Sequence, residues 1–201
     1  MDIRRAQIDT AFWGRWTVAS ALGFTIGGML SLPIAYTLGE LVLEATSETA
    51  GFAVTGALFG IFLGGGLGAG QQIVLKSKAG WGGKWALVSA AATAVVWAIA
   101  FPALLAAGET ASSPTGVTIA ILFGLTLGIG QWLVLRNFIT RAARWVLIVT
   151  ASLALAFVAA FALDGEGREL LSMGVAGLLS GALTGLGMAW LLRDPAPVSA
   201  S

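Results

Sequence analysis

The chain contains no cysteine and no histidine. Their absence excludes disulfides, iron–sulfur clusters and histidine-ligated metal or haem, and it removes the usual ligand of a bacteriochlorin magnesium. Charge is also scarce, at 10% of residues, where a soluble domain carries about 25%. Every Asp, Glu, Lys and Arg falls at the end of an apolar run or between runs, whereas membrane enzymes and ion-coupled pumps place such groups within the bilayer. The expectation is therefore a protein that is not an enzyme, with no metal site and no certain cofactor.

What remains is hydrophobic. Apolar residues make up 57% of the 201 positions and the mean hydropathy is +0.89. About 20 apolar residues rising 1.5 Å each cross a hydrocarbon core of roughly 30 Å. Six stretches qualify, at 16–38, 51–75, 85–107, 115–135, 145–163 and 170–192. The expected fold is all-α: a six-transmembrane-helix bundle in one integral membrane domain, 1–201, with no hidden soluble domain. The start, Met1 to Arg5, has the positive character of a signal peptide, but the run after it is too long and lacks a small-x-small cleavage site, so it reads as a retained first helix.

The six stretches repeat in pairs. A basic residue followed by Trp opens the first of each pair, as Arg15-Trp16, Lys84-Trp85 and Arg144-Trp145, and Gly-x-Gly closes the second, at Gly68/Gly70, Gly128/Gly130 and Gly185/Gly187. This predicts three parallel helical-hairpin repeats, 12–76, 81–136 and 141–193, related by an axis along the membrane normal. Pro33 and Pro102 share a register 17 residues after Trp16 and Trp85, where they are expected to end or kink their helices near the outer surface. A Gly-x-Gly run cradles phosphates only when it joins a strand to a helix N-terminus. At the end of an apolar helix it does not read as a nucleotide site.

Ten basic residues fall on one side of this arrangement (Arg4, Arg5, Arg15, Lys76, Lys78, Lys84, Arg136, Arg141, Arg144 and Arg193) and only Arg168 on the other. By the positive-inside rule both termini are cytoplasmic, and the expected location is the bacterial cytoplasmic (inner) membrane. The outer side is acidic, with Glu40, Glu44, Glu48, Glu109, Asp164, Glu166 and Glu169. These read as solvated helix ends, or as a docking surface for a basic extracytoplasmic partner. Glu40, Glu44 and Glu48 form one stripe if the first helix continues past the bilayer.

Glycines four apart give the inward helices one small-residue face each: Gly60, Gly64 and Gly68 (with Gly56 before them), Gly124 and Gly128, and Gly177, Gly181 and Gly185. In lipid, close backbone approach replaces the hydrophobic drive, so these GxxxG or glycine-zipper stripes are expected to pack the bundle. Trp16, Trp85 and Trp145, with Trp132 and Trp190, fall near the cytoplasmic boundary and are expected to anchor at headgroup depth. Trp97, near the midplane, reads as a core or lipid-facing filler.

Gln71, Gln72 and Gln131 are the only amides within the spans. Gln71 and Gln131 share a repeat position about 7 Å inside the cytoplasmic boundary, where the third repeat has Met188. Their structural reading is an interhelical hydrogen bond to a carbonyl or indole. Their functional reading is a ligand contact, with Trp132 beside them, to a lipid, quinone or carotenoid or to a pigment metal. Thr17, Ser20, Ser89, Thr93 and Thr184 read as hydroxyls bonded to their own helices. The basic loops suit anionic lipid headgroups.

The element Gly-x-Gly-Gln-x-x-Val-Leu-basic, followed after a short loop by basic-Trp, resembles uncharacterised multi-pass bacterial membrane proteins that repeat Gly-x-x-Gln-Trp-x-x-Leu-Arg. Gln131, Trp132, Leu135 and Arg136 match it best, while Gln72 and Ala189 replace the Trp elsewhere. The resemblance implies topology and no activity. The expected function is a non-catalytic integral membrane subunit or scaffold of a larger complex, respiratory or photosynthetic. Its expected partners are membrane lipid and other integral membrane subunits, without nucleic acid, and lipid, quinone or carotenoid would sit in its apolar grooves. The alternative is a small permease with a path along the pseudo-threefold axis.

Overall fold

The computed structural model describes residues 10–79, 83–108, 114–163 and 167–193. Among them are six α-helices and no strand: α1 (Thr10–Ala45), α2 (Glu48–Ala79), α3 (Trp85–Ala107), α4 (Pro114–Leu135), α5 (Arg144–Phe161) and α6 (Glu169–Leu191). Each contains a stretch long and apolar enough to cross a membrane. Every helix packs against its chain neighbours, and α6 packs back on α1, so the six close into a ring.

Glycine sets the distance between neighbours. On α2, one glycine face meets α3: a Cβ at Gly64 would lie 2.8 Å from the Ser89 carbonyl oxygen, and one at Gly68 would lie 2.7 Å from Ser89 Cβ. Gly66 and Gly70 face the other way, onto Gly23 and Ala19 of α1. Gly60 meets Thr93 of α3, Gly124 and Gly128 meet Thr150 and Val146 of α5, and Gly177, Gly181 and Gly185 meet Ala21, Ser20 and Trp16 of α1. At Gly124, Thr150 Cα occupies space 2.7 Å from where a Cβ would stand. Backbones this close gain dispersion contacts that lipid tails cannot match.

The helices are uneven in length. The 36 residues of α1 span about 54 Å, whereas the 18 of α5 span about 27 Å. The α1–α2 hairpin therefore runs well beyond the spans predicted from sequence. Pro33 and Pro102 do not end their helices, which continue to Ala45 and Ala107. Beyond Pro33, packing offsets the lost backbone bond: Ala35 is buried, and Gly39 sits directly on Thr55. In α3 the stop comes at Gly108, whose φ of 61° permits a left-handed cap with its N–H on Leu104 O. Glu40 and Glu44 lie exposed on α1, but the chain turns at 46–47 and Glu48 begins α2. The predicted acidic stripe is thus split between two helices. Glu109, Asp164 and Glu166 fall outside the described residues, as do Arg4 and Arg5.

The interior is layered. Phe24, Phe59, Trp97, Phe123 and Phe157 come from five helices and meet edge to face or tilted, with Phe59 and Trp97 at 4.9 Å. Toward the basic end follow Leu67, Leu127 and Leu153, all buried. The last layer is polar and aromatic.

Candidate functional site: a buried indole and amide network

Three indoles meet where the basic ends of α1, α3 and α5 converge. Trp16, Trp85 and Trp145 are 0% exposed, with centroids 5.9, 6.2 and 6.4 Å apart. The sequence alone reads these three as anchors at headgroup depth, which requires exposed rings, and here the structure differs. Trp85 and Trp145 stand in the first turn of α3 and α5 and Trp16 in the second turn of α1; all three turn inward, and the ring buries them against one another. A buried indole N–H can only donate, so each must find an acceptor on a neighbouring helix.

Each does. Trp85 Nε1 donates to Gln71 Oε1 at 2.8 Å and Trp145 Nε1 to Gln131 Oε1 at 2.9 Å, both across a separation of 14 residues. These donations fix the amide orientations, since only the oxygen side accepts. Gln71 Nε2 then donates to Ser20 Oγ at 3.3 Å, and Gln131 Nε2 donates to Ser89 Oγ at 3.0 Å. Gln131 Nε2 also donates to Gln71 Oε1 at 3.1 Å, joining the two stations.

The third station is built differently. Met188 stands where the others have Gln, and Val149 where they have Ser20 and Ser89. The two apolar exchanges occur together, so no amide or hydroxyl is stranded. Trp16 Nε1 instead donates to Thr184 Oγ1 at 3.1 Å, one helical turn before Met188. The Thr184 hydroxyl in turn donates to Ser180 O at 2.6 Å. Thr184 occupies the register of Leu67 and Leu127, so a hydroxyl on that turn substitutes for the missing amide.

The structure thus brings Gln71 and Gln131 together as a pair, and to indoles, in line with their structural reading. It sets Trp132 apart, half-buried, with the Arg136 guanidinium 5.6 Å over its ring. Gln72 caps α3, accepting the Ala86 N–H at 3.1 Å. From sequence alone Ser20, Ser89 and Thr184 are hydroxyls serving their own helices. Ser89 and Thr184 do so, bonding to Trp85 O and Ser180 O, but all three also bond across helices. The signal for this was present, as Trp with Ser four residues later in two repeats, lost in the same repeat that loses its Gln.

Beside the network lies a cavity of about 10 Å³ with Gln71, Gln131, Ser180 and Thr184 on its wall. That is room for about one water, against roughly 300 Å³ or more for a small-molecule pocket. No group of three or more metal-ligating carboxylates is found among the described residues. In chemical terms the arrangement satisfies buried donors and locks helices, with the indole and amide groups all facing one another. Set against known proteins, the chain matches no family, no curated protein and no solved structure.

Proposed function

We propose that the chain is a non-catalytic membrane subunit or scaffold, a rigid ring of three helical hairpins whose purpose lies on its outer surface. The observation that carries this reading is the network itself. Gln71 and Gln131, the two side chains best suited to a ligand, accept from Trp85 and Trp145 and donate to Ser20 and Ser89. A buried polar group already paired gives up those bonds to bind anything else, at a cost of about 1–3 kcal/mol for each group left unsatisfied.

The outer surface supports the same reading. Large apolar side chains face outward on every helix, among them Leu22, Ile73, Ile99, Leu133, Leu147 and Leu186, a belt suited to lipid and to other integral membrane subunits. Quinone or carotenoid would lie against this belt rather than in the centre. The glycine stripes then act as zippers that keep the ring narrow. The charge asymmetry supports cytoplasmic termini. With Ser77→Cys and Thr46→Cys, a membrane-impermeant maleimide applied to intact cells should label only the second.

The deciding experiment is purification in mild detergent followed by reconstitution. A scaffold comes away with a stoichiometric integral membrane protein or a bound apolar chromophore, and alone in liposomes it carries no solute. Solute flux by the isolated protein would overturn the proposal and favour the permease. A path along the axis would have to part the three indoles and the aromatic layer beyond them.

A further inference from the structure

Two arginines carry a geometry that the buried network does not use. The Arg136 guanidinium lies 5.6 Å over the Trp132 ring, and that of Arg144 lies 5.1 Å over Trp190. Both arginines are exposed, Trp132 is half-buried and Trp190 is 42% exposed. Helix α5 runs between the two pairs. Gly124 and Gly128 of α4 meet it at Thr150 and Val146, while Gly187 of α6 meets it at Ile148. The face left over is an apolar strip of Leu147, Ala151 and Leu155, all exposed.

A guanidinium stacked on an indole is held by its face and keeps its in-plane N–H groups for a planar or tetrahedral anion. Among the described residues no carboxylate competes for them: the described acidic side chains, Glu40, Glu44 and Glu48, stand at the far end of α1 and α2. Exposed indoles mark headgroup depth, so an anion held here would be the polar end of a molecule whose apolar part follows α5. Soluble phosphate has no use for such a strip.

We propose that the Arg136–Trp132 and Arg144–Trp190 pairs each bind the phosphate of an anionic phospholipid, with an acyl chain lying along Leu147, Ala151 and Leu155. The site is local to α5. The tryptophan of every basic-Trp opener is turned inward, and Gln72 and Ala189 stand at the Trp132 position in the first and third repeats, so among the described residues the stacked pairs arise where Trp132 and Trp190 are placed to receive an arginine. The proposal stands independently of any scaffold role.

The test uses the full chain in phosphatidylcholine bilayers containing a minority of phosphatidylglycerol, with bromine on the acyl chains of one lipid or the other. Quenching of tryptophan emission reads the lipid in contact, and Trp190→Phe and Trp132→Phe assign the signal to each site. Brominated phosphatidylglycerol should be preferred about fivefold at each site, the worth of one basic residue at an anionic surface. Arg144→Gln should bring the Trp190 preference close to one while leaving that of Trp132, Arg136→Gln should do the reverse, and Arg144→Lys should keep part of it. Equal quenching by the two lipids in the wild type, or a preference unchanged in both glutamine variants, would overturn the proposal. Competition by added inorganic phosphate would also overturn it, by showing a site for a soluble anion.

Discussion

Trp145 and Trp16 occupy equivalent repeat positions, yet one donates to an amide and the other to a hydroxyl. The two solutions should be exchangeable. Gln131→Met copies the third station onto the second and leaves the buried Trp145 N–H without its acceptor, because Leu127 stands where Thr184 serves Trp16. We expect a loss of about 1–3 kcal/mol in stability, measured by thermal unfolding in detergent. Adding Leu127→Thr to that variant should recover about 0.6–1.7 kcal/mol, the range for interhelical hydrogen bonds in membranes. Leu127→Thr alone should destabilise, having no indole to accept from. If the second change is equally harmful in both backgrounds, the hydroxyl is not replacing the amide. Gln71 and Gln131 were conspicuous in the sequence because amides are rare in apolar spans. Their partners were not, since a Trp at a helix end near a basic residue has the same pattern whether it faces a headgroup or a neighbour. Only the direction in which the Trp-bearing turn faces decides that, and direction is set by how neighbouring helices pack.

At the scale of the element, the six helices were legible from length and apolarity, and α3 to α6 begin and end within two residues of their predicted bounds. The longer reach of α1 and α2 was not. Beyond Pro33 the sequence turns polar and acidic, which reads as loop, and the turns persist because Ala35 and Gly39 pack against α2. The glycine faces were legible by period, except that α2 carries two: Gly66 and Gly70 serve α1 while Gly60, Gly64 and Gly68 serve α3. Substitutions should separate packing glycines from idle ones. Gly64→Leu or Gly181→Leu drives a side chain into Thr93 and Ser89 or into Ser20 and Thr17, and should prevent recovery of monodisperse protein by size exclusion. Gly174→Ala, with nothing within 4 Å of the new Cβ, should be neutral or stabilising by up to about 1 kcal/mol. Equal behaviour of Gly64→Leu and Gly174→Ala would refute the role given to the stripe.

For the whole molecule, the sequence repeat left open whether the hairpins stand in a row or close on themselves, because a repeat defines each unit and not the contact between the first and the last. Closure depends on α6 meeting α1, through Gly177, Gly181 and Gly185 and through Trp13 Nε1 donating to Ala182 O at 2.9 Å. The absence of native cysteine makes this testable without background. A Cβ at Gly177 would lie 3.3 Å from Phe24 Cβ, near the roughly 3.5–4.5 Å that a disulfide requires. Phe24→Cys with Gly177→Cys should therefore cross-link under mild oxidation and change mobility on a non-reducing gel. Gly65→Cys with Ala90→Cys, at 3.5 Å, is the matched control between α2 and α3. Cross-linking of the control without the first pair would mean an open row.

The three indoles at the basic end have an optical consequence. Rings separated by 5.9 to 6.4 Å and inclined at 55° to 89° lie close enough for their transition dipoles to couple, so they absorb as one chiral array and pass excitation among themselves. Closed, the array should give an exciton couplet in circular dichroism and depolarised emission. Parting α1, α3 or α5 would leave a single coupled pair and weaken both signals, so the molecule carries an internal gauge of its own closure that needs no added label.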